Sequence, residues 1–214
     1  MSWGGFRVKW VKIPGNEAEA LREAISVLER DGLVVVPTDT VYGVAAKADS
    51  AEGVARIFQA KGRDWEKAIV VMVSDAGKAE ELVAEEAIPV LRKLSALWPG
   101  PLTLVLPARE GGVKRIVAST VPTIGIRIPD HPFLLSLLGK AGPLAVTSAN
   151  FSGRPAPASP KEMDREFLEK VDLVLDGGPC RSGVPSTVAE IKGGEVVVLR
   201  EGEIGVEKLM ELLE

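Results

Sequence analysis

The sequence predicts a single α/β domain built on a mixed sheet, and three observations carry that expectation. Short apolar, strand-like runs alternate with amphipathic helical stretches along most of the chain, the pattern of strands joined by crossover helices. Leu33 to Val36 and Ile69 to Val73 are continuously apolar, as strands buried on both faces are. A hairpin near the C-terminal end, Ser186 to Ile191 and Glu195 to Leu199 across Lys192-Gly193-Gly194, adds antiparallel pairing.

In chain order, residues 7–12 read as an extended strand. Glu17 to Arg30 is an amphipathic helix with Leu21, Ala24, Ile25 and Leu28 on one stripe, stopped by Asp31-Gly32. Pro37 ends the Leu33 to Val36 strand, and Thr38-Asp39-Thr40 follows as a polar loop. Asp49 or Ser50 caps a helix running to about Ala60, with Val54, Ile57 and Phe58 as its buried stripe. Lys61 lies three residues after Phe58, continues that stripe inward at a glycine-ended helix terminus, and so calls for an anion, either a carboxylate or a ligand.

Residues 76–84 and 87–97 read as helical. Trp98-Pro99-Gly100-Pro101 is a rigid turn into the strand Leu102 to Leu106. In Ile124-Gly125-Ile126-Arg127-Ile128 the isoleucines share one face, leaving Gly125 and Arg127 on the other. Residues 132–139 read as a short helix, and Pro143 to Thr147 as a strand that runs into Ser148-Ala149-Asn150-Phe151-Ser152-Gly153. A buried strand ending in a polar, glycine-terminated loop is where open α/β sheets hold ligands. A Pro-rich loop follows to Pro160, then a helix over Lys161 to Lys170, the strand Leu173 to Leu175, and a turn at Asp176 to Pro179. The last helix puts Val206, Leu209, Met210 and Leu213 on one face.

Composition narrows the function. Of 214 residues, 46% are hydrophobic and 26% charged, enough apolar material for one sizeable core. The net charge of −4 carries no general basic signature of nucleic-acid binding. Cys180 is the only cysteine, so no intrachain disulfide forms and a reducing compartment is expected. Met1 to Phe6 lacks the apolar core of a signal peptide, and the apolar run Ala68 to Val73 is too short to cross a bilayer. The expectation is a cytoplasmic protein with no membrane partner.

One histidine and one cysteine exclude the usual zinc ligand sets and make a Cys/His dyad improbable. His131, before Pro132 at a helix start, reads as a cap. Neither a phosphate-loop lysine motif nor a Gly-x-Gly-x-x-Gly fingerprint is present. What remains is a set of strand ends and loops rich in Lys, Arg, Ser, Thr and Asn, the equipment for a polyanionic ligand. Catalysis there rests on positioning two substrates and stabilising charge at phosphorus.

Seven segments, in order, resemble the YrdC family of L-threonylcarbamoyladenylate synthases: Pro37 to Gly43, Lys61-Gly62-Arg63, Trp98 to Thr103, Thr123 to Pro129, Thr147 to Gly153, Ser186-Thr187-Val188, and Leu199 to Gly202. They fall within an expected core of about 17–205, in one domain over 1–214. The resemblance implies an open, twisted sheet curved around a large electropositive cavity. It implies a reaction joining L-threonine, bicarbonate or CO2, and ATP into threonylcarbamoyl-AMP with release of pyrophosphate. The product passes to a separate tRNA threonylcarbamoyl transferase, and contact with tRNA or double-stranded RNA is a further expectation.

By position, Lys61, Arg63, Ser148 and Asn150 match the family's catalytic signature. Arg63, Lys67, Thr123, Asn150 and Arg200 are expected on ATP, and Thr40, Tyr42, Arg127, Ser148 and Ser186 around threonine. Lys61, Arg63 and Arg200 are expected to stabilise the phosphates, Arg127 the substrate carboxylate, and Mg2+ to enter with the nucleotide. The chain departs from the pattern at Arg63-Asp64-Trp65-Glu66-Lys67-Ala68-Ile69, which lacks the usual prolines. Met72 stands where many members carry histidine, and Asp39 where glutamate is usual. Two other readings fit the same residues. One is a carbamoyl adenylate maker using carbamoyl phosphate, as in hydrogenase maturation, and the other a non-catalytic RNA-binding module. Dependence on threonine separates the first, and salt-sensitive RNA binding without ATP affinity the second.

Overall fold

The computed structural model describes residues 8–65, 67–118 and 120–214. The expectations for Met1 to Phe6 and for Arg7 as the first strand residue lie outside these. Within the described residues ten strands form one open sheet: β1 (Lys9–Lys12), β2 (Val34–Val36), β3 (Gly43–Lys47), β4 (Val70–Met72), β5 (Leu102–Pro107), β6 (Thr123–Arg127), β7 (Leu144–Ser148), β8 (Leu173–Asp176), β9 (Thr187–Lys192) and β10 (Glu195–Arg200). Their spatial order is β1-β8-β2-β3-β7-β4-β6-β5-β9-β10. The β1/β8, β2/β8, β4/β6 and β5/β9 pairs are parallel and the remaining five antiparallel, so the sheet is mixed, as the sequence suggests.

Among the described residues eight α-helices flank it: α1 (Glu17–Leu28), α2 (Ala51–Lys61), α3 (Ala76–Glu80), α4 (Ile88–Leu94), α5 (Gly112–Val117), α6 (Pro132–Ala141), α7 (Arg165–Leu168) and α8 (Val206–Leu213). None is long and apolar enough to cross a membrane. Ser50 caps α2, its Oγ accepting from Gly53 N at 2.8 Å, and Gly62 ends the helix at φ 58°. His131 is the cap of α6, its Nδ1 accepting from Leu134 N at 3.3 Å.

Strand alternation sorts the side chains onto two faces. On the rear face Val44, Ala46, Val71, Leu104, Ile124, Ile126 and Ala145 pack with Ile57 and Phe58 of α2, Leu91 and Leu94 of α4, and Leu209 of α8. On the front face Val34, Val36, Ala45, Leu173 and Leu175 pack under Ala20, Ala24 and Leu28 of α1 and Leu134, Leu137 and Leu138 of α6. These helices cover only the β1 to β7 part of the front. Beyond β7 the front face is open and becomes the floor of a cavity.

Several elements differ from the sequence expectation. β3 lies in a stretch with no strand assigned to it, and so does α5. The helix expected over 76–84 stops at Glu80, and that over 87–97 is α4 flanked by 3-10 turns at Glu85–Ala87 and Ser95–Leu97. Between 161 and 170 only Arg165–Leu168 is α-helical. Pro160–Glu162 forms a 3-10 turn, Met163 is extended, and Asp164 caps a fresh start by accepting from Glu166 N at 2.8 Å.

Candidate active site

The cavity holds about 450 Å3. Its floor is a row of small or apolar front-face residues, Gly43, Val146, Val70, Gly125, Val105 and Val188, on neighbouring strands. Gly43 is required by packing. A Cβ there would meet Val146 Cγ1 at 2.6 Å, so a side chain would push β3 from β7. Around the floor stand hydroxyls and three arginines, Arg63, Arg127 and Arg200. Among the described residues that line it there is no Asp or Glu. Nor does any group of three or more His, Cys, Asp or Glu among the described residues stand ready for a metal ion.

Arg63 stands at the end of the cavity where β4 and β6 begin, and Arg127 where they finish. Arg127 is 3% exposed. It donates through Nε to Gly100 O at 3.1 Å, through Nη1 to Thr40 Oγ1 at 2.9 Å and through Nη2 to Asp39 Oδ1 at 2.6 Å. Burial holds its pKa below the ordinary arginine value, with Asp39 opposing. The other carboxylate oxygen, Asp39 Oδ2, is buried and without a hydrogen-bond partner. Thr38 pins the loop that carries Asp39: its Oγ1 donates to Val41 O at 2.7 Å and accepts from Thr40 N at 3.0 Å. Behind this loop lies a second, smaller cavity of about 190 Å3 with Asp130, His131, Cys180 and Arg181 in its wall.

The Trp98 to Pro101 turn supplies two carbonyls here, Gly100 O to Arg127 and Pro101 O to Thr187 N at 3.0 Å. Gly100 is itself forced, since a Cβ would meet Leu97 O at 2.6 Å. Beside Arg127, Arg200 donates to Ser186 O and Ser186 Oγ, both at 3.0 Å, and Ser186 Oγ lies 2.9 Å from Thr103 Oγ1. Burial, then the nearby positive charge of Arg127, lowers the pKa of Arg200. Two guanidiniums thus stand close enough for one to feel the other's charge, and Asp39 pairs with Arg127. The Gly202 that closes this motif is pressed on backbone: a Cβ would meet Thr187 N at 2.3 Å and Pro185 O at 2.6 Å.

At the Arg63 end, the guanidinium donates to Ala68 O at 3.0 Å and its buried Nε has no partner. Burial lowers its pKa, with Asp64 opposing. Behind it, Lys61 Nζ donates to Ser148 O at 2.5 Å, Asn150 O at 2.8 Å and Asn150 Oδ1 at 3.2 Å. The anion expected beside Lys61 is therefore not a carboxylate of the chain. Neutral carbonyls fill the place, because the strand end turns its oxygens inward. Burial, then the charge of Arg63, brings the Lys61 pKa down to about 8.

The structure brings Thr40, Tyr42, Arg63, Thr123, Arg127, Ser148, Ser186 and Arg200 together on the cavity wall. Lys61 and Asn150 are buried behind that wall, and Lys67 is exposed outside it. Tyr42 is held by its hydroxyl, which donates to Gly178 O at 2.6 Å and accepts from Gly177 N at 3.0 Å. Burial raises the pKa of this phenol above its ordinary value. Met72, 6% exposed, also lines the cavity, opposite Arg127 in the strand register. Sequence reasoning left Thr38 and Thr103 without roles. A threonine between Leu102 and Leu104 in a buried strand was the available sign, since a polar group there needs a partner.

An open α/β sheet with half of one face bare, ringed by arginines and hydroxyls, defines a class of protein that takes a small anionic ligand against its strand ends. Comparison narrows the class. The Sua5/YciO/YrdC family model, described as Telomere recombination, matches residues 26–202, and the chain belongs to that family. The threonylcarbamoyl-AMP synthase of Bacillus subtilis (strain 168) is 34% identical over 190 residues, covering 88% of this chain and 55% of that protein. A Methanocaldococcus jannaschii protein, provisionally named for the same activity, is 35% identical over 96% of this chain and 98% of its own length. The structure of Pyrococcus abyssi Sua5 complexed with L-threonine matches with a TM-score of 0.86 and 35% identity, over 96% of this chain and 60% of that one. The chain thus spans little more than half of the B. subtilis relative and nearly all of the M. jannaschii one.

Proposed function

We propose that this protein makes threonylcarbamoyl-AMP and pyrophosphate from L-threonine, bicarbonate or CO2, and ATP, for the threonylcarbamoyl modification of tRNA. The observation that carries the reading is one cavity with a cationic group at each end, Arg63 on one side and Arg127 with Arg200 on the other, over a floor free of side-chain charge. A zwitterionic amino acid and a nucleotide triphosphate both bring anionic groups to such a place. The named activity of the relatives, and the L-threonine in the P. abyssi Sua5 complex, support the choice of substrates.

The chemistry runs in two steps. The neutral threonine amine adds to CO2, losing a proton, to give a carbamate. A carbamate oxygen then attacks the α-phosphorus of ATP, and the bond to pyrophosphate breaks. Arg127 neutralises the threonine carboxylate through N–H groups not given to Asp39, Thr40 and Gly100, while Thr40 and Ser186 offer hydroxyls and Tyr42 shapes the wall. Arg63, with Arg200 and Thr123, bears the charge that grows on the phosphates. The lining presents hydroxyls and cations rather than a carboxylate cage, so Mg2+ fits as part of the nucleotide substrate. The product leaves for a separate transferase that acts on tRNA, in the cytoplasm.

The test is incubation with MgATP, bicarbonate and threonine, reading pyrophosphate and the mass of the adenylate. A threonine-dependent product is expected. A product that forms only from carbamoyl phosphate would overturn the substrate assignment.

A further inference from the structure

Lys61 holds a place where the chemistry above gives it nothing to touch. It is the last residue of α2, 3% exposed and outside the cavity lining. An ammonium has three protons to donate, and Ser148 O, Asn150 O and Asn150 Oδ1 accept from it. The same segment bonds back: Ser152 N donates to Lys61 O at 2.9 Å. Asn150 Nδ2 donates onward to Arg154 O at 2.5 Å. The end of α2 and the turn after β7 therefore close on each other, with Ser148 on the cavity side and Asn150 on the lysine side.

We propose that Lys61 is a positioning residue: its ammonium gathers the carbonyl ends of β7 behind the wall and so fixes Ser148 against the substrates without touching them. This rests on reading the cavity as the adenylate-forming site. The physical need is plain. Carbonyl oxygens at a strand end carry partial negative charge, and left unbonded in a buried place they are costly. Pointed toward a cavity that takes phosphates, they would also repel the ligand. An ammonium satisfies all three at once and leaves a net positive charge behind the wall. A neutral donor such as a glutamine amide has too few protons for three acceptors and no charge.

The charged group that acts on Lys61 is the Arg63 guanidinium, on the loop that follows α2, and burial is the larger influence. An anion seated against Arg63 would favour the charged amine. Loss of the proton would leave two N–H groups for three acceptors and turn a lone pair on a carbonyl, releasing Ser148. Turnover is accordingly expected to fall on the alkaline side.

Two measurements test this separately. In ligand-free wild-type protein labelled with 15N-lysine and with 13C at the serine and asparagine carbonyls, one ammonium resonance should exchange slowly and show couplings across hydrogen bonds to the Ser148 and Asn150 carbonyls. Those couplings should persist when MgATP and threonine are added. Their absence, or their loss on addition of MgATP, overturns the proposal. In kinetics, Lys61→Met should lower kcat by ~100-fold, the scale of a misplaced reacting group. Its KM for ATP should stay within about 3-fold, because no substrate contact is removed. The reverse split, a large rise in KM with kcat kept, also overturns it. Asn150→Asp puts a carboxylate beside the amine and should move the alkaline fall in kcat to higher pH. A wild-type protein that makes no adenylate would sink the proposed reaction, while the spectra would still decide the role of Lys61.

Discussion

The carboxylate of Asp39 has one oxygen on Arg127 and the other on nothing, and both groups are almost fully buried. Removing the carboxylate strands a guanidinium in the interior. Asp39→Ala is expected to lower stability by about 3–5 kcal/mol, the usual cost of leaving one buried charge unpaired, read from urea unfolding; a loss within noise would mean that water or substrate-side groups already serve Arg127. Lys61 and Tyr42 write opposite slopes into the dependence of stability on pH. Lys61 holds its proton less tightly when folded, at about 8 against 10.5. Between these values the unfolded chain carries more protons, so stability rises with pH. Burial keeps the Tyr42 phenol protonated above its ordinary 10.0, so beyond that point the folded chain carries more and stability falls. The urea midpoint should therefore climb from pH 8 toward 10 and then drop, and Lys61→Met should flatten the climb. Lys61 was legible as inward-facing, and Arg127 as lying opposite the isoleucine face, because helix and strand periods fix side-chain direction. Their partners were not, since two of the three Lys61 acceptors are backbone oxygens, 87 and 89 residues away in the chain, and every residue carries such an oxygen.

The hairpin of β9 and β10 reaches the cavity through Ser186 and Arg200, and Gly202 sets how closely the chain after β10 lies on Pro185 to Thr187. Gly202→Ala forces backbone against backbone, which side-chain rotation cannot relieve. A loss of about 1–3 kcal/mol is expected, as in other overpacked sites, together with a higher KM for both substrates as Ser186 and Arg200 move. Unchanged kinetics would show that the hairpin adjusts as one body. The hairpin itself was readable, because Gly193-Gly194 between two alternating runs is a turn with a backbone cause. β3 was not, since Gly43-Val44-Ala45-Ala46-Lys47 holds one β-branched residue and is a strand only because β2 and β7 pair with it on both sides. α5 begins at consecutive glycines without a side-chain cap, so the local sequence offers no start signal. The Lys161 to Lys170 stretch keeps a helical period that Pro160 and the extended Met163 interrupt.

At the scale of the molecule, the fold class followed from the alternation of strands and helices, but the strand order did not. The neighbours of β8, for example, are β1 and β2, from the far end of the chain, and apolar strands carry no label for their partners. The cavity depends on this order, since it places the bare half of the front face where β4, β6, β5 and β9 meet. Its charge makes two ligand effects measurable. MgATP or threonine at roughly 100 times its Kd should stabilise the fold by about 2.7 kcal/mol, seen as a rise in Tm. Affinity for MgATP should weaken as salt rises, less steeply than for exposed charges because the arginines are partly buried. A Tm indifferent to both ligands would remove the cavity as their site.

The chain contains a single tyrosine, and it is Tyr42. It is one of the residues that line the cavity, its side chain is fully buried, and its hydroxyl is tied at both sides to the Gly177-Gly178 turn. Growth on 3-fluorotyrosine would therefore place one fluorine nucleus in the whole protein, beside the floor of the site. Every occupant of the cavity would be read from one spectral line, with no mutation made and no residue to assign.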